Sequence, residues 1–462
     1  MSNTELQAAP DVDVEDYTLS KKLVAGVLYA LEAQDRATLV ELTEPLHPAD
    51  IADLLEQINP FDRRRLVELY GAEFDGDILS ELDEGLREEV MGILNPEVLA
   101  EAVRELESDD IVDLVEDLDE PAQEAILETL EDADRVAVEQ ALSYPENTAG
   151  RLMQRETVCA PEHWSVGQAI DFLRNAEELP EQFYHVILVD PRMKPIGNVT
   201  LGKLMSSRRD LPLVDLVEDV FQTIPVTQDE ADVAYAFNQY HLISAPVVDE
   251  DERLVGVITI DDAMVVLDEE HEEDILRMAG VSDESSLSDT ILDAAKGRAT
   301  WLFVNLLTAI LASGVINLFA DTVGQMVALA VLMPIVASMG GNAGTQTMTV
   351  TVRALATKDL TAQNAWRVIR REVSVGALNG ALFGLIMAGV AGVWFGIPML
   401  AVVIAVAMFL TQIAAALGGI LIPMALERVN IDPALASGPF VTTVTDVVGF
   451  FLFLGLAAHV LL

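Results

Sequence analysis

Pro439-Phe440-Val441-Thr442-Thr443-Val444-Thr445-Asp446-Val447-Val448-Gly449 is the stretch whose reading decides the fold. It sits inside an apolar segment, Ala434 to Leu462, that is long enough to cross a bilayer. Asp446 is the carboxylate within it. An ionised side chain at bilayer depth costs at least about 2.5–3.5 kcal/mol on insertion scales, so it needs an interior partner or a wet path. Two readings follow. Asp446 is a cation site in a pore, or it is a packing residue bonded to a neighbouring Thr or backbone group. The pathway reading is favoured, because charges inside spans mark routes for ions.

Working outward, four more apolar segments precede it: Thr300–Ala320, Gln325–Thr345, Val375–Trp394 and Met399–Leu421. Each is near the ~20 residues a spanning helix requires. Arg353, Lys358, Arg367, Arg370 and Arg371 all fall between the second and third segments, and the loop around Phe395 to Pro398 carries no charge. By the positive-inside rule the second loop faces the cytoplasm. The soluble part is then cytoplasmic and the C-terminus lies outside the cell membrane. The polar start, Met1 to Ser20, lacks the basic end and apolar run of a signal peptide, in keeping with that orientation.

Charge divides the 462-residue chain at the same place. From Trp301 onward there are six acidic residues (Asp321, Asp359, Glu372, Glu427, Asp432, Asp446) and six basic ones. The whole net charge of −49 belongs to the part before them. Such acidity argues against a nucleic-acid partner, since phosphates call for Lys and Arg. The acids are spread evenly and lysines number only six, which reads as adaptation to high salt for most of the charge. A few carboxylates remain candidates for metal. Cys159 is the one cysteine, so no disulfide forms within the chain.

The soluble part has its own organisation. Residues 1–20 read as disordered. Residues 21–146 read as short helices, with starts at His47-Pro48-Ala49-Asp50 and Asn95-Pro96-Glu97-Val98. The same apolar stripe recurs at Ala49, Pro96 and Ser108, the pattern of a helical superhelix. Residues 147–268 carry a duplication. Leu188-Val189-Asp190 through Gly202-Lys203-Leu204-Met205 is repeated, 59 residues on and without a gap, as Val247-Val248-Asp249 through Asp261-Asp262-Ala263-Met264. Each copy resembles a CBS domain, so the pair is expected to be an α/β regulatory module. That resemblance implies a nucleotide such as ATP at the Gly256-Val257-Ile258-Thr259-Ile260-Asp261-Asp262 motif, with Thr259 and Asp262 as contacts. The first copy has Lys203 in the Asp position. The competing reading is a pair that only relays conformational change. Residues 269–299 read as an acidic helical connector, and residues 300–462 as a five-helix transmembrane domain.

The second apolar segment ends in Gly340-Gly341-Asn342-Ala343-Gly344-Thr345-Gln346. Glycines there permit close backbone approach or an unwound turn. Asn342 and Gln346 share a face if the helix continues. The segment is either a hydrated lining or a small-residue packing seam.

This motif, the Ile431-Asp432-Pro433 to Gly438-Pro439 run, Asp446 and the order of parts together resemble the MgtE family of magnesium channels. The resemblance implies a homodimer in the lipid bilayer that conducts Mg²⁺ and is closed by cytoplasmic Mg²⁺. It implies Asp446 as the pore carboxylate and Asp432 as a ligand at the cytoplasmic mouth. Asp262, Glu270, Glu273 and Asp274 become gating ligands, with Asp109 and Asp113 on the helical domain and Asp229 near a further gating position. Gly340, Gly341, Asn342, Gly344, Gln346, Gly438 and Thr442 are expected along the path. Gly438 stands where the family pattern has Asn, and Val265 and Ala231 stand at acidic gating positions. If the connector folds back on the CBS pair, Glu270, Glu273 and Asp274 face Asp262. Other functions are a broader divalent transporter for Co²⁺, Mn²⁺ or Ni²⁺, and a membrane-anchored sensor that conducts nothing. No nucleophile–base constellation suggests an enzyme.

Overall fold

The computed structural model describes residues 12–13, 18–116, 118, 120–176, 179–180, 182–281 and 291–461. Most of the expected disordered N-terminus, residues 1–11 and 14–17, lies outside them. The chain divides into two compact units, Met1–Asp268 and Glu269–Leu462.

In the first unit, short helices follow one another from Lys21–Ala33 to Asp132–Ala141. Their starts obey local chemistry. His47 and Asp50 form a capping box on Pro48–Gln57, and the Asn59 and Asn95 side chains accept first-turn amides of Pro60–Tyr70 and Pro96–Glu105. Proline at the first helical position costs nothing there, because its missing N–H would be unbonded anyway. Each helix is too short to stand alone. Each buries one stripe, such as Ile51, Ala52, Leu54 and Leu55, or Ile111, Val112, Leu114 and Val115. The stripes join in one core running from Leu19 to Ala141. Arg63, 5% exposed, stitches two layers. It donates to the carbonyls of Leu55 and Ile58 and pairs with Glu89 at 2.6 Å.

The duplicated segment forms two three-stranded sheets of the same design. Cys159–Pro161 runs parallel to His185–Val189, which pairs antiparallel with Pro195–Thr200. Ile224–Pro225, Ser244–Val248 and Leu254–Thr259 repeat the arrangement. Even the register shift recurs, at Leu188/Val189 and Val247/Val248. The copies touch through equivalent residues. His185 Nδ1 lies 2.6 Å from Ser244 Oγ, and these two side chains are 59 positions apart.

Among the described residues, the second unit holds five helices long and apolar enough to cross a membrane, with spans Ala294–Leu318, Val327–Ala356, Ala365–Phe395, Pro398–Arg428 and Gly438–Val460. The fourth span is the most enclosed, packing against the second, third and fifth. Glycines make the close approaches. A Cβ on Gly376, Gly380 or Gly384 would stand 2.7–2.9 Å from fourth-span backbone. The connector does not form one helix from 269 to 299. Its helix starts at Ile260, inside the second CBS copy, and ends at Ala279, where Gly280 takes φ +73°. Residues 282–290 lie outside the described residues, and helix resumes at Ile291.

Candidate metal sites in the soluble unit and the spans

In the first unit, the helix Ser108–Glu116 is tied to the chain entering the CBS pair. Ser108 Oγ donates to Glu156 at 2.8 Å and accepts the Arg155 amide at 2.8 Å. Gln154 donates to Glu107 at 2.7 Å, and Arg151 pairs with Glu116 at 2.7 Å. Gln154 in turn exchanges two backbone hydrogen bonds with Val257, just before Thr259. These ties bring Glu107, Asp109 and Asp110 to Asp262. Asp109 is 9% exposed. Burial first, then the neighbouring Asp262, pushes the Asp110 carboxyl up to about 7. Burial and the Glu156 charge push Glu107 up to about 7 as well. Asp109 is raised by burial and Asp262, and Asp262 by burial. Carboxyls raised together by burial and mutual repulsion form a place where a cation is welcome.

Two expected members stand elsewhere. Asp113 pairs with Arg87 at 2.8 Å and is half exposed. Asp229 caps Glu230–Tyr240, its carboxylate accepting the Asp232 amide. Glu107 and Asp110, which the sequence did not single out, take their place. Asp110 offered an acidic first turn, which is common at helix starts, and Glu107 stands just before the helix. Thr259 and Asp262 hold each other: the Thr259 amide and hydroxyl both donate to Asp262, at 3.3 and 2.7 Å, and the hydroxyl also bonds Asp261.

Glu270, Glu273 and Asp274 continue the element that carries Asp262. All four lie on the one helix Ile260–Ala279, with Asp262 in its first turn and the others about two to three turns on. In the second unit this helix presents Arg277, which pairs with Glu273 at 2.8 Å and with Asp432 at 3.1 Å. Asp274 is raised by burial and by Asp432.

Within the spans, Asp446 is half-buried and has no hydrogen-bond or ion-pair partner among the described residues. Its neighbours turn their hydroxyls to their own helix: Thr445 donates to the Thr442 carbonyl at 2.9 Å, and Thr443 to that of Pro439 at 2.6 Å. The packing reading required such a donor for Asp446. The second helix runs unbroken from Val327 to Ala356 through the glycine motif. Gly340 and Gly344 face protein: a Cβ on Gly340 would stand 2.8 Å from Thr411, and one on Gly344 2.8 Å from Val441. Gly341 faces open space, and Asn342, Thr345 and Gln346 are exposed. On the fifth helix Thr442 is exposed and Gly438 lies under Met278. The polar residues of the motif are thus separated from its packing glycines. Among the described residues no three His, Cys, Asp or Glu side chains are grouped to hold a metal directly.

Residues 333–456 match the family model described as a divalent cation transporter, MgtE. Residues 46–147 match the MgtE intracellular N domain, and residues 213–269 a CBS domain. The magnesium transporter MgtE of Thermus thermophilus is 30% identical over 448 residues, which cover 95% of this chain and 98% of that protein. The chain belongs to the MgtE family. The family's Enterococcus faecalis magnesium transporter is 34% identical, with 70% of this chain and 71% of that protein covered. Among solved structures, the cytosolic domain of the Mg²⁺ channel MgtE in complex with ATP is 28% identical, with a TM-score of 0.49 over 53% of this chain and 99% of that one. The family's members named here are transporters, and none of the matching families is catalytic.

Proposed function

We propose that this chain is a Mg²⁺-selective channel that admits magnesium to the cytoplasm and closes when cytoplasmic Mg²⁺ binds its acidic domains. Asp446 carries the reading. A carboxylate in a span, without a donor among the described residues, is costly unless it faces water or a second chain. Mg²⁺ dehydrates reluctantly and is held through its waters by one or two carboxylates. Two copies of Asp446 about a two-fold axis supply such a pair from one gene. The exposed Asn342, Thr345, Gln346 and Thr442 give that path further polar groups. The close relatives named as magnesium transporters support the choice of ion.

The soluble residues fit the same cation. Glu107, Asp109, Asp110 and Asp262 would hold hydrated Mg²⁺ by outer-sphere contact, in keeping with the absence of a direct ligand set among the described residues. Bound Mg²⁺ relieves their repulsion and favours one arrangement of the acidic domains, a population shift set by differential affinity. Asp113, Asp229, Glu270, Glu273 and Asp274 are further candidates for that regulation. A nucleotide at the CBS pair would meet an Asp262 already engaged with Thr259 and flanked by acids, so its phosphates would need an accompanying cation.

The orientation follows the loop charges: a reporter at Arg370 should lie in the cytoplasm and one after Leu462 outside. The deciding experiment is flux into liposomes of Mg²⁺, Co²⁺, Mn²⁺ and Ni²⁺. Mg²⁺ should pass in preference, and the flux should fall as Mg²⁺ rises on the cytoplasmic side. Equal passage of all four ions would favour the broader transporter. No passage would favour the sensor.

A further inference from the structure

In the second unit, the last turns of the Ile260–Ala279 helix reach the start of the fifth membrane helix. Asp432 is engaged from two sides. Its Oδ1 accepts the Ala434 amide at 2.7 Å, which caps the helix Pro433–Val460. Its Oδ2 accepts Arg277 Nη1 at 3.1 Å. Arg277 also reaches Glu273 through Nη2 at 2.8 Å, so one guanidinium bridges an acid of the connector and an acid of the pore entrance. The next residue, Met278, packs with Met348, Val352, Ala434 and Val441. A Cβ on Gly438 would stand 3.7 Å from the Met278 carbonyl, an ordinary contact, so the connector is seated on the fifth helix. Gly280, at φ +73°, ends the helix beyond this contact.

We propose that Arg277 is a tethered cation: in this seated arrangement it occupies the entrance carboxylate Asp432 and competes there with the incoming divalent ion. The guanidinium is permanently charged and its fork can serve two carboxylates at once. A divalent ion reaching Asp432 must displace it. Once displaced, the connector loses this ion pair with the fifth helix and keeps the Met278 contact. The inference rests on the proposed closure by cytoplasmic Mg²⁺ and names the contact that holds the shut form.

The test uses the full chain in liposomes, reading the Mg²⁺ concentration that halves the flux for wild type, Arg277→Gln, Arg277→Lys, Asp432→Asn and the double variant Arg277→Gln/Asp432→Asn. Arg277→Gln should need about five-fold more Mg²⁺ to close, the change expected for loss of one partly exposed ion pair. Arg277→Lys, which keeps the charge and loses the fork, should lie between the two. In the Asp432→Asn background the Arg277→Gln change should vanish. The latch is overturned if Arg277→Gln closes at the wild-type concentration, or if its effect persists without the Asp432 charge. A wild type whose flux ignores cytoplasmic Mg²⁺ overturns the gating reading, and the latch with it.

Discussion

Gln412, 3% exposed on the fourth span, donates its Nε2 to the carbonyl of Met339 on the second at 3.2 Å. Met339 immediately precedes Gly340-Gly341-Asn342, so this bond fixes the backbone from which the exposed polar residues project. Side-chain hydrogen bonds between membrane helices average about 0.6 kcal/mol. Gln412→Leu should therefore lower thermal stability in detergent by about that amount. Its larger effect should be on the preference for Mg²⁺ over Co²⁺ in flux assays, and an unchanged preference would limit Gln412 to packing.

The glycines separate into two classes that mutation can tell apart. A Cβ on Gly419 would stand 2.6 Å from the Gly344 carbonyl and 2.8 Å from Thr347 Cβ, so backbone would have to move. Gly419→Ala should cost roughly 1–3 kcal/mol by overpacking, read as a lower unfolding temperature. Gly341 has nothing within 4 Å, and Gly341→Ala should leave stability within about 0.5 kcal/mol of wild type. Any loss of flux in Gly341→Ala then reports on the path.

The soluble cluster makes stability depend on pH. Glu107 and Asp110 titrate near 7 in the folded chain, above the ordinary carboxylate range. The folded form therefore holds more protons than the unfolded form between about pH 4 and 7, and stability falls as pH rises through that window. In a metal chelator the chain should be more stable at pH 5 than at pH 8, by roughly 1–3 kcal/mol after screening of the half-exposed Glu107. Adding Mg²⁺ at pH 8 should recover the difference, while KCl at equal ionic strength should recover less. Asp109→Asn with Asp110→Asn should flatten the pH dependence and remove the Mg²⁺ effect, measured by thermal unfolding.

The spans were legible because hydropathy is set by the bilayer, but their helix ends were not. The third apolar segment begins at Val375 in hydropathy, whereas its helix begins at Ala365 and carries Arg367, Arg370 and Arg371 outside the apolar core. The 59-residue duplication was legible to the level of a matching register shift. The site was read less fully. The family resemblance named Asp109 and Asp262, but a first-turn acid looks the same whether it caps a helix, as Asp229 does, or enters a buried cluster, as Asp110 does. Asp113 shares a helix face with Asp109 and yet pairs with Arg87, because that pairing depends on tertiary neighbours. Arg277 carried a local signal, its four-residue spacing from Glu273. Its bond to Asp432 joins positions 155 residues apart, which no spacing rule reaches.

On the proposed function, Asp446 binds the permeating ion and does not serve packing. Asp446→Asn keeps the shape and removes the charge. Mg²⁺ flux into liposomes should fall at least about ten-fold, with thermal stability and oligomeric state unchanged, since one charge-assisted contact at the ion is worth about 1.4 kcal/mol or more. Wild-type flux and wild-type preference for Mg²⁺ in the Asp446→Asn variant would contradict the account.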